Sequence, residues 1–298
     1  MFSRKFYLKI IAEKPDIFGN IPYSILPEEK IEELRQIPRL AIGEISGIQG
    51  LEGLLYALSK KRPDAFLPTV SYTGTEYGDW KNLEDILIYI KKTIEKNLRI
   101  YVSEPVILGS PHFWWALNGR FVNELRERFG FYSQCYGCRL YSFALRIQLS
   151  KKLNANVLIP GDMENPNGDC KIYNSSPAIK YYTTLMSSFG IELWYTHPSG
   201  IKKKEMVEAF NLQEHPGNGK MLNCIFEDNY KNLEGSFKHS SNICSFFEKF
   251  AIPAAAKIIS KTLSGAAVDY VREVADTLLP VAKTKKKKNI RRKYGVPP

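Results

Sequence analysis

The chain has 298 residues, of which 44% are hydrophobic, and it carries a formal net charge of +11. This length predicts one large α/β domain with a smaller appendage, and the apolar content is sufficient for a buried core. No apolar run reaches the roughly 18 residues that a membrane-spanning helix needs, and the N-terminal segment lacks the small-residue cleavage site of a signal peptide. We therefore expect a cytoplasmic protein.

Strands and helices alternate along most of the chain. The first strand is Leu40–Ile45, and a turn at residues 46–50 leads into a helix that begins at Leu51. Apolar runs of strand length recur at residues 66–72, 104–109, 156–161 and 190–195. Apolar residues with helical spacing recur at residues 83–96, 112–129, 139–153, 176–189 and 203–210. This alternation predicts an α/β fold with a doubly wound, mostly parallel five-stranded sheet.

Small additions flank the predicted sheet. Residues 1–37 form an N-terminal extension, with a strand at residues 6–10 and a helix over residues 27–36. Residues 38–210 form the main domain, residues 211–282 a C-terminal subdomain, and residues 283–298 a basic tail.

The turn after the first strand is a candidate phosphate site. Ligands of doubly wound sheets bind at the carboxyl ends of the strands. A helix N-terminus offers unpaired backbone N–H groups to an anion there, and glycines allow close approach. The candidate residues are Ser46, Gly47, Gln49 and Gly50. Gly-bearing turns of this kind are also common in α/β domains that bind nothing at that point.

An acidic loop follows the fourth strand, beginning at Gly161. Asp162 and Glu164 are candidate Mg²⁺ ligands on a triphosphate, because Mg²⁺ takes a few carboxylates together with phosphate oxygens. Lys171 is a candidate phosphate contact. The alternative is that the Asp, Asn, Pro and Gly residues of this loop form only a surface turn.

The chain has five cysteines, and without a secretion signal these favour metal or redox use over disulfides. Cys135 and Cys138 are spaced as metal ligands often are, and Cys224, in a polar segment, is the third candidate ligand. An iron–sulfur cluster, zinc and free thiols all remain open. Cys244 lies among phenylalanines and is expected to be buried.

Positive charge is concentrated at the end of the chain. Residues 283–298 contain eight Lys or Arg and no acid, so the remainder carries only +3. This tail is predicted to be disordered, and it is either a solubilising segment or an arm that binds RNA phosphates. Arg139 and Arg146, on one face of a predicted helix, could also bind RNA or be ordinary surface charge. The candidate RNA contacts are Arg139, Arg146, Lys285, Lys286, Lys287, Lys288, Arg291 and Arg292.

The order of these motifs resembles the PP-loop ATP pyrophosphatase superfamily, which has the adenine nucleotide alpha-hydrolase-like fold. The resemblance covers roughly residues 38–230 and is closest to cysteine-bearing members such as tRNA thiolation enzymes. The shared features are the Ser46-Gly47 turn, a second strand ending near Gly74, the CxxC at a helix start, Gly161 with its acids, Lys171 and Cys224. The family loop SGGxDS is matched only at Ser46 and Gly47, and Glu44 or Glu52 could take the place of the missing acid.

The resemblance implies ATP- and Mg²⁺-dependent adenylation of a carbonyl oxygen, in particular that of an RNA nucleobase, with release of pyrophosphate and displacement of AMP by sulfur or nitrogen. It implies that Ser46 and Gly47 bind phosphate, that Thr73 and Gly74 approach the adenosine, and that the thiols hold a 4Fe-4S cluster or Zn²⁺, or handle sulfur. It also implies tRNA as the substrate. Two alternatives stay open: a nucleotide- or RNA-binding protein without catalysis, and a reductase of the PAPS-reductase type. The oligomeric state is open as well.

Overall fold

The computed structural model describes residues 19–20, 24–47, 50–164, 171–196, 210, 222–237 and 241–278. Its strands are β1 (Gly19–Asn20), β2 (Ser24–Ile25), β3 (Leu40–Glu44), β4 (Ala65–Tyr72), β5 (Glu76–Tyr77), β6 (Tyr101–Val102), β7 (Val106–Gly109), β8 (Val157–Ile159), β9 (Glu192–Leu193) and β10 (Asn223–Cys224). Its helices are α1 (Glu28–Arg35), α2 (Leu51–Lys61), α3 (Trp80–Leu98), α4 (Pro111–Asn118), α5 (Val122–Phe129), α6 (Gln134–Leu153), α7 (Ser176–Ser188), α8 (Ile243–Phe246), α9 (Ile252–Leu263) and α10 (Tyr270–Leu278).

The main sheet has the order β2-β1-β7-β4-β3-β8-β9. The five strands from β7 to β9 run parallel to one another, and they correspond to the five strands predicted from the sequence. This confirms the doubly wound, mostly parallel α/β fold. Three short strands of this sheet were not predicted: β6 pairs with β4, and β1 and β2 extend the β7 edge in antiparallel pairing. The separate pair of β5 and β10 was not predicted either.

The strands are buried on both faces, as parallel strands covered by helices require. Leu40 and Ile42 of β3 pack into the larger core, and Ala41 packs into the core on the opposite face. Helices α2 and α3 cover the second face, whereas the remaining helices contribute to the larger core. Helix α6 lies deep in that core, and every residue from Arg139 to Ser150 is buried.

Two helix boundaries differ from the prediction for local reasons. The helix predicted over residues 112–129 is divided into α4 and α5 at Gly119, where a side chain would collide with Trp115. Helix α6 begins before the predicted residue 139, because the side chain of Ser133 caps it by accepting from the N–H of Cys135. Cys135 and Cys138 therefore lie in the first two turns of α6.

Residues 243–278 share the larger core with the main sheet. The ring of Phe246 packs edge-on against Phe129, and Phe113 stacks on Tyr270. The predicted domain boundaries stay predictions. The strand at residues 6–10 and the basic tail lie outside the described residues, as does the helix at 203–210 apart from its last residue. Among the described helices, none combines the length and the apolar character needed to cross a membrane.

Candidate functional site

The strand order reverses between β3 and β8, which are neighbours in the centre of the sheet. From β3 the chain continues to β4 on one side, and from β8 to β9 on the other. The carboxyl ends of two such strands form the ligand crevice of doubly wound sheets. We call this point the switch crevice; it lies between the loop at residues 45–50 and the loop that starts at Pro160.

The two loops of the switch crevice touch each other. Ser46 Oγ donates to the carbonyl oxygen of Gly161 at 3.0 Å. A Cβ at Gly50 would collide with that same carbonyl, and a Cβ at Gly161 would collide with the carbonyl of Glu44. The space expected to admit a ligand at Gly50 is therefore filled on this side by the neighbouring loop. Gly47 has φ of +138°, a conformation that favours glycine, and Gln49 lies outside the described residues.

Five charged side chains beside the crevice are linked by ion pairs: Glu44, Arg139, Arg146, Asp162 and Lys171. We call them the buried charge cluster. The carboxylate of Glu44, at the end of β3, accepts from Arg139 and lies 3.6 Å from Arg146 Nη1. Burial alone would raise the pKa of Glu44, but the two guanidinium groups reverse this and hold the pKa below its usual value.

Arg139 and Arg146 are only 5% and 0% exposed, so they are not the ordinary surface charge that the sequence also allowed, and their contact with RNA stays a prediction. Arg146 Nε donates to Thr69 Oγ1 at 2.9 Å, and its Nη1 donates to Ser71 Oγ at 2.7 Å. Burial lowers the pKa of Arg146 to about 10, so the side chain stays protonated at neutral pH. Both arginines therefore act inside the protein. The other candidate RNA contacts, Lys285 to Arg292, lie outside the described residues.

Asp162, directly after Gly161, is paired with two cations. Its Oδ1 lies 2.6 Å from Lys171 Nζ, and its Oδ2 lies 3.8 Å from Arg139 Nη2. Burial would raise the pKa of Asp162, but Lys171 and Arg139 hold it below its usual value. A Mg²⁺ ion bound to Asp162 Oδ1 would have to displace Lys171. The other expected magnesium ligand, Glu164, accepts from Ser176 Oγ at 2.7 Å.

The buried charge cluster holds three cations and two carboxylates, so among the described residues it carries one positive charge in excess. Glu44, Arg139, Arg146 and Asp162 are buried, whereas the side chain of Lys171 is 32% exposed. Lys171 is thus the one cation of the cluster that solvent can reach. An anion drawn to the cluster would bind at Lys171.

The second expected nucleotide contact, the turn at Thr73 and Gly74, already holds a carboxylate. Glu76 Oε1 accepts from the N–H of Thr73 at 2.8 Å and from its hydroxyl at 2.7 Å, and Oε2 accepts from the N–H of Gly74 at 2.9 Å. Burial raises the pKa of Glu76, although these donors oppose the shift. An adenosine at this turn would have to use other groups or displace Glu76. The sequence reasoning did not find Glu76.

Three thiols lie in one neighbourhood at this edge of the sheet. Burial raises the pKa of Cys135 to about 12 and that of Cys138 further, and Cys224 contributes to both shifts. Cys224 Sγ lies 3.4 Å from Thr75 Oγ1, and Cys224 pairs with Glu76 across the two short strands β5 and β10. Yet in the part of the chain that is described, no three Cys, His, Asp or Glu side chains are placed to hold a metal ion. The thiols therefore do not fit a ready-made metal site.

Cys244 is exposed, whereas the sequence predicted that it is buried among phenylalanines.

The fold and the crevice define a doubly wound α/β protein with a cationic site at its switch point. No protein-family model matches the chain. Uncharacterized protein MJ0009 of Methanocaldococcus jannaschii is 29% identical over 248 residues, which are 82% of this chain and 86% of that protein. The structure of NMN synthetase from Francisella tularensis covers 99% of this chain and 96% of its own, with a TM-score of 0.30 and 12% identity. Neither similarity assigns a ligand to this chain.

Proposed function

We propose that the protein is an ATP-dependent enzyme of the PP-loop type, which adenylates a carbonyl oxygen of its substrate and releases pyrophosphate. One observation carries the proposal: the excess positive charge of the buried charge cluster reaches solvent at Lys171, beside the switch crevice. Charges taken out of water need partners, because desolvation costs several kcal/mol per ion. A polyphosphate at the crevice would supply the missing negative charge.

Two further features support a phosphate at the same place. Helix α2 begins at Leu51 with Gly50 before it, and among the described residues no side chain caps this end. Its first N–H groups and its dipole therefore favour an anion. In the proposal, Lys171 moves from Asp162 to the phosphates, and Asp162 keeps Arg139 as its partner. Glu164 is the carboxylate that would hold Mg²⁺, and the ion would supply positive charge to the triphosphate.

The proposed reaction is a single displacement at phosphorus. The carbonyl oxygen of the substrate attacks the α-phosphorus of ATP, a new P–O bond forms, and the bond from the α-phosphorus to the bridging oxygen breaks. Pyrophosphate leaves with the negative charge, which Lys171 and the N-terminus of α2 would stabilise. We propose RNA as the substrate because the tail carries eight Lys or Arg and no acid.

The thiols are given no step in this proposal. A nucleophilic cysteine needs a lowered pKa and a nearby cation, whereas burial raises the pKa of Cys135 to about 12. This argues against the reductase of the PAPS-reductase type. Sulfur insertion is likewise not assigned to Cys135, Cys138 or Cys224.

The test is pyrophosphate release from ATP in the presence of total tRNA. Wild-type protein should release pyrophosphate, and Gly47→Ala should lower the rate because an alanine at φ of +138° would distort the loop. Gly265→Ala is the matched control, since Gly265 also has positive φ but nothing lies within 4 Å of its added Cβ. No release by the wild type with any RNA would refute the proposed reaction.

A second candidate is a protein that binds nucleotide or RNA without catalysis. The specific observation in its favour is Glu76, whose carboxylate occupies the N–H groups of Thr73 and Gly74. ATP binding in the absence of pyrophosphate release would favour this candidate.

A further inference from the structure

The amino-terminal edge of the sheet, opposite the switch crevice, carries a group of cations. Helices α2 and α3 run antiparallel to the strands they connect, so both end at this edge. The helix ends and the loops after them, residues 60–64 and 95–99, contain two carboxylates, Asp64 and Glu95, and five cations: Lys60, Lys61, Arg62, Lys96 and Arg99. Positive charge therefore collects at a surface that the proposed reaction does not use.

The pairing of the strands places two of the arginines side by side. Ala65, the first residue of β4, pairs with Tyr101, the first residue of β6. Arg62 lies three residues before Ala65, and Arg99 lies two residues before Tyr101. Because neighbouring strands are about 4.8 Å apart, the two guanidinium groups can contact adjacent phosphates of one polyanion.

The charge of these cations is not neutralised within the described part of the chain. Asp64 is already paired with Arg39, at 2.6 Å. In the ranges that the structure describes, Arg62, Lys96 and Arg99 form no ion pair, and all three are exposed. Their charge is therefore available to a partner outside the chain.

The backbone indicates that the two arginine side chains are used. Each ends a helix in the left-handed conformation, Arg62 with φ of +45° and Arg99 with φ of +54°. This conformation favours glycine, which has no Cβ, and left-handed glycines follow α5, α7 and α9, at Gly130, Gly190 and Gly265. Arginine at the ends of α2 and α3 therefore costs stability that glycine would not, which points to a function for the side chains.

An exposed aromatic ring lies at the same edge. Tyr101 is 48% exposed and lies two residues after Arg99. Its hydroxyl accepts from Lys30 Nζ at 3.5 Å, which brings a further cation to the ring. Proteins that bind single-stranded nucleic acid combine cations for the phosphates with rings that stack on the bases. We call Arg62, Lys96, Arg99 and Tyr101 the basic edge.

We propose that the basic edge binds a single-stranded segment of RNA, with its phosphates on Arg62, Lys96 and Arg99 and one base stacked on Tyr101. This site is separate from the switch crevice. The inference goes beyond the proposed function, because binding at the basic edge requires neither ATP nor adenylation. A folded RNA large enough to span the domain could contact both edges of the sheet at once.

The experiment is fluorescence anisotropy of the full-length protein with a labelled oligouridine of roughly 12 nucleotides, a length typical of single-strand sites. The double variant Arg62→Gly with Arg99→Gly removes two charges and relieves both left-handed positions. It should bind at least about tenfold more weakly at low salt. The slope of log K against log salt should become less steep by about 1.4, which is about 0.7 for each lost phosphate contact. Its urea midpoint should equal or exceed that of the wild type.

The matched control is Arg126→Ala with Arg272→Ala. Both of these arginines are exposed, and they lie on α5 and α10, on the opposite face of the sheet from α2 and α3. This control should bind as the wild type does. Tyr101→Leu should weaken binding of oligouridine but not of duplex RNA, whose bases are already stacked. Where the glycine variant fails to fold, Arg62→Gln with Arg99→Gln decides.

Unchanged affinity in the glycine variant, an equal loss in the control, or no binding of oligouridine by the wild type would overturn the inference. A urea midpoint below that of the wild type would overturn it as well, because the arginines would then serve the helix ends, where cations interact favourably with the dipole. Loss of binding to phosphatidylserine vesicles with unchanged oligouridine binding would assign the basic edge to a membrane surface instead. RNA binding that depends on the basic edge, without pyrophosphate release, would support the inference and overturn the proposed reaction.

Discussion

Glu44→Gln is the sharpest perturbation of the buried charge cluster, because it removes one charge and keeps the side-chain size. In the wild type the Glu44 carboxylate accepts from Arg139 and from Ser142, and it lies 3.6 Å from Arg146 Nη1. Among the described residues, the variant leaves Asp162 as the acidic partner of Arg139 and leaves the buried guanidinium of Arg146 without an acidic partner. Removing one partner of a buried ion pair typically costs about 3–5 kcal/mol, and we expect a loss of unfolding free energy of that size.

The decrease in unfolding free energy caused by Glu44→Gln should depend on pH, and the direction follows from the pKa of Glu44. Arg139 and Arg146 hold the pKa of Glu44 below its usual value against the opposing effect of burial. Because the pKa of Glu44 is lower in the folded state than in the unfolded state, its charged form stabilises the folded state at pH values above the unfolded-state pKa of about 4.3. This stabilisation is lost as the pH falls through the folded-state pKa. The difference between wild type and Glu44→Gln should therefore be largest near neutral pH and shrink below about pH 4.

The assay is urea denaturation followed by circular dichroism, with equal m-values as the check that both proteins unfold from similar states. Asp64→Asn is the control, since Asp64 forms an ion pair with Arg39 at the surface at 2.6 Å and surface pairs contribute little. A loss below about 1 kcal/mol in Glu44→Gln, or a loss independent of pH, would show that Glu44 is not the ionised centre of the cluster.

Three further outcomes are expected. Gly50→Ala should lower the urea midpoint more than Gly265→Ala, because a Cβ at Gly50 would collide with the backbone carbonyl of Gly161, whereas a Cβ at Gly265 meets nothing within 4 Å. Equal decreases in the urea midpoint would show that the two loops of the switch crevice separate easily. In iodoacetamide labelling read by mass spectrometry, Cys244 should react before Cys138, since Cys244 is exposed and burial raises the pKa of Cys138; the reverse order would contradict the placement of both. Deletion of residues 283–298 should weaken RNA binding and flatten its salt dependence without changing the melting temperature; unchanged affinity at low salt would refute the role of the tail.

The alternation of parallel strands and helices along the chain could be predicted because each parallel strand is marked by a local apolar run. Leu40–Ile45 is buried on both faces, and helical spacing after each strand places the next helix. These apolar patterns can be recognised from residues that are close together in the sequence. Helix α4 ends at Gly119, whose N–H donates to the carbonyl of Trp115, and the pattern of apolar residues does not reveal this end.

The buried charge cluster could not be predicted in the same way. Arg139 and Arg146 have the spacing of a charged helix face, and their burial depends on Glu44, 95 positions before Arg139 in the chain. The contact of Gly50 with Gly161 is equally remote in sequence. Glu76 is different, since it accepts from the N–H groups of Thr73 and Gly74 only three and two residues before it, so this contact is local in the sequence.

The central claim, an anion site at Lys171 beside the switch crevice, is tested most directly by calorimetric titration of ATP into wild type, Lys171→Met and Lys91→Met. Lys91 is the matched control, because it pairs with Glu104 at 2.7 Å and is 27% exposed in its side chain, close to the values for Lys171. We predict that the wild type and Lys91→Met bind ATP alike, and that Lys171→Met binds roughly tenfold to a hundredfold more weakly, as expected for a lost hydrogen bond to a charged group. Equal affinity in all three proteins, or no binding of ATP by the wild type, would contradict the site.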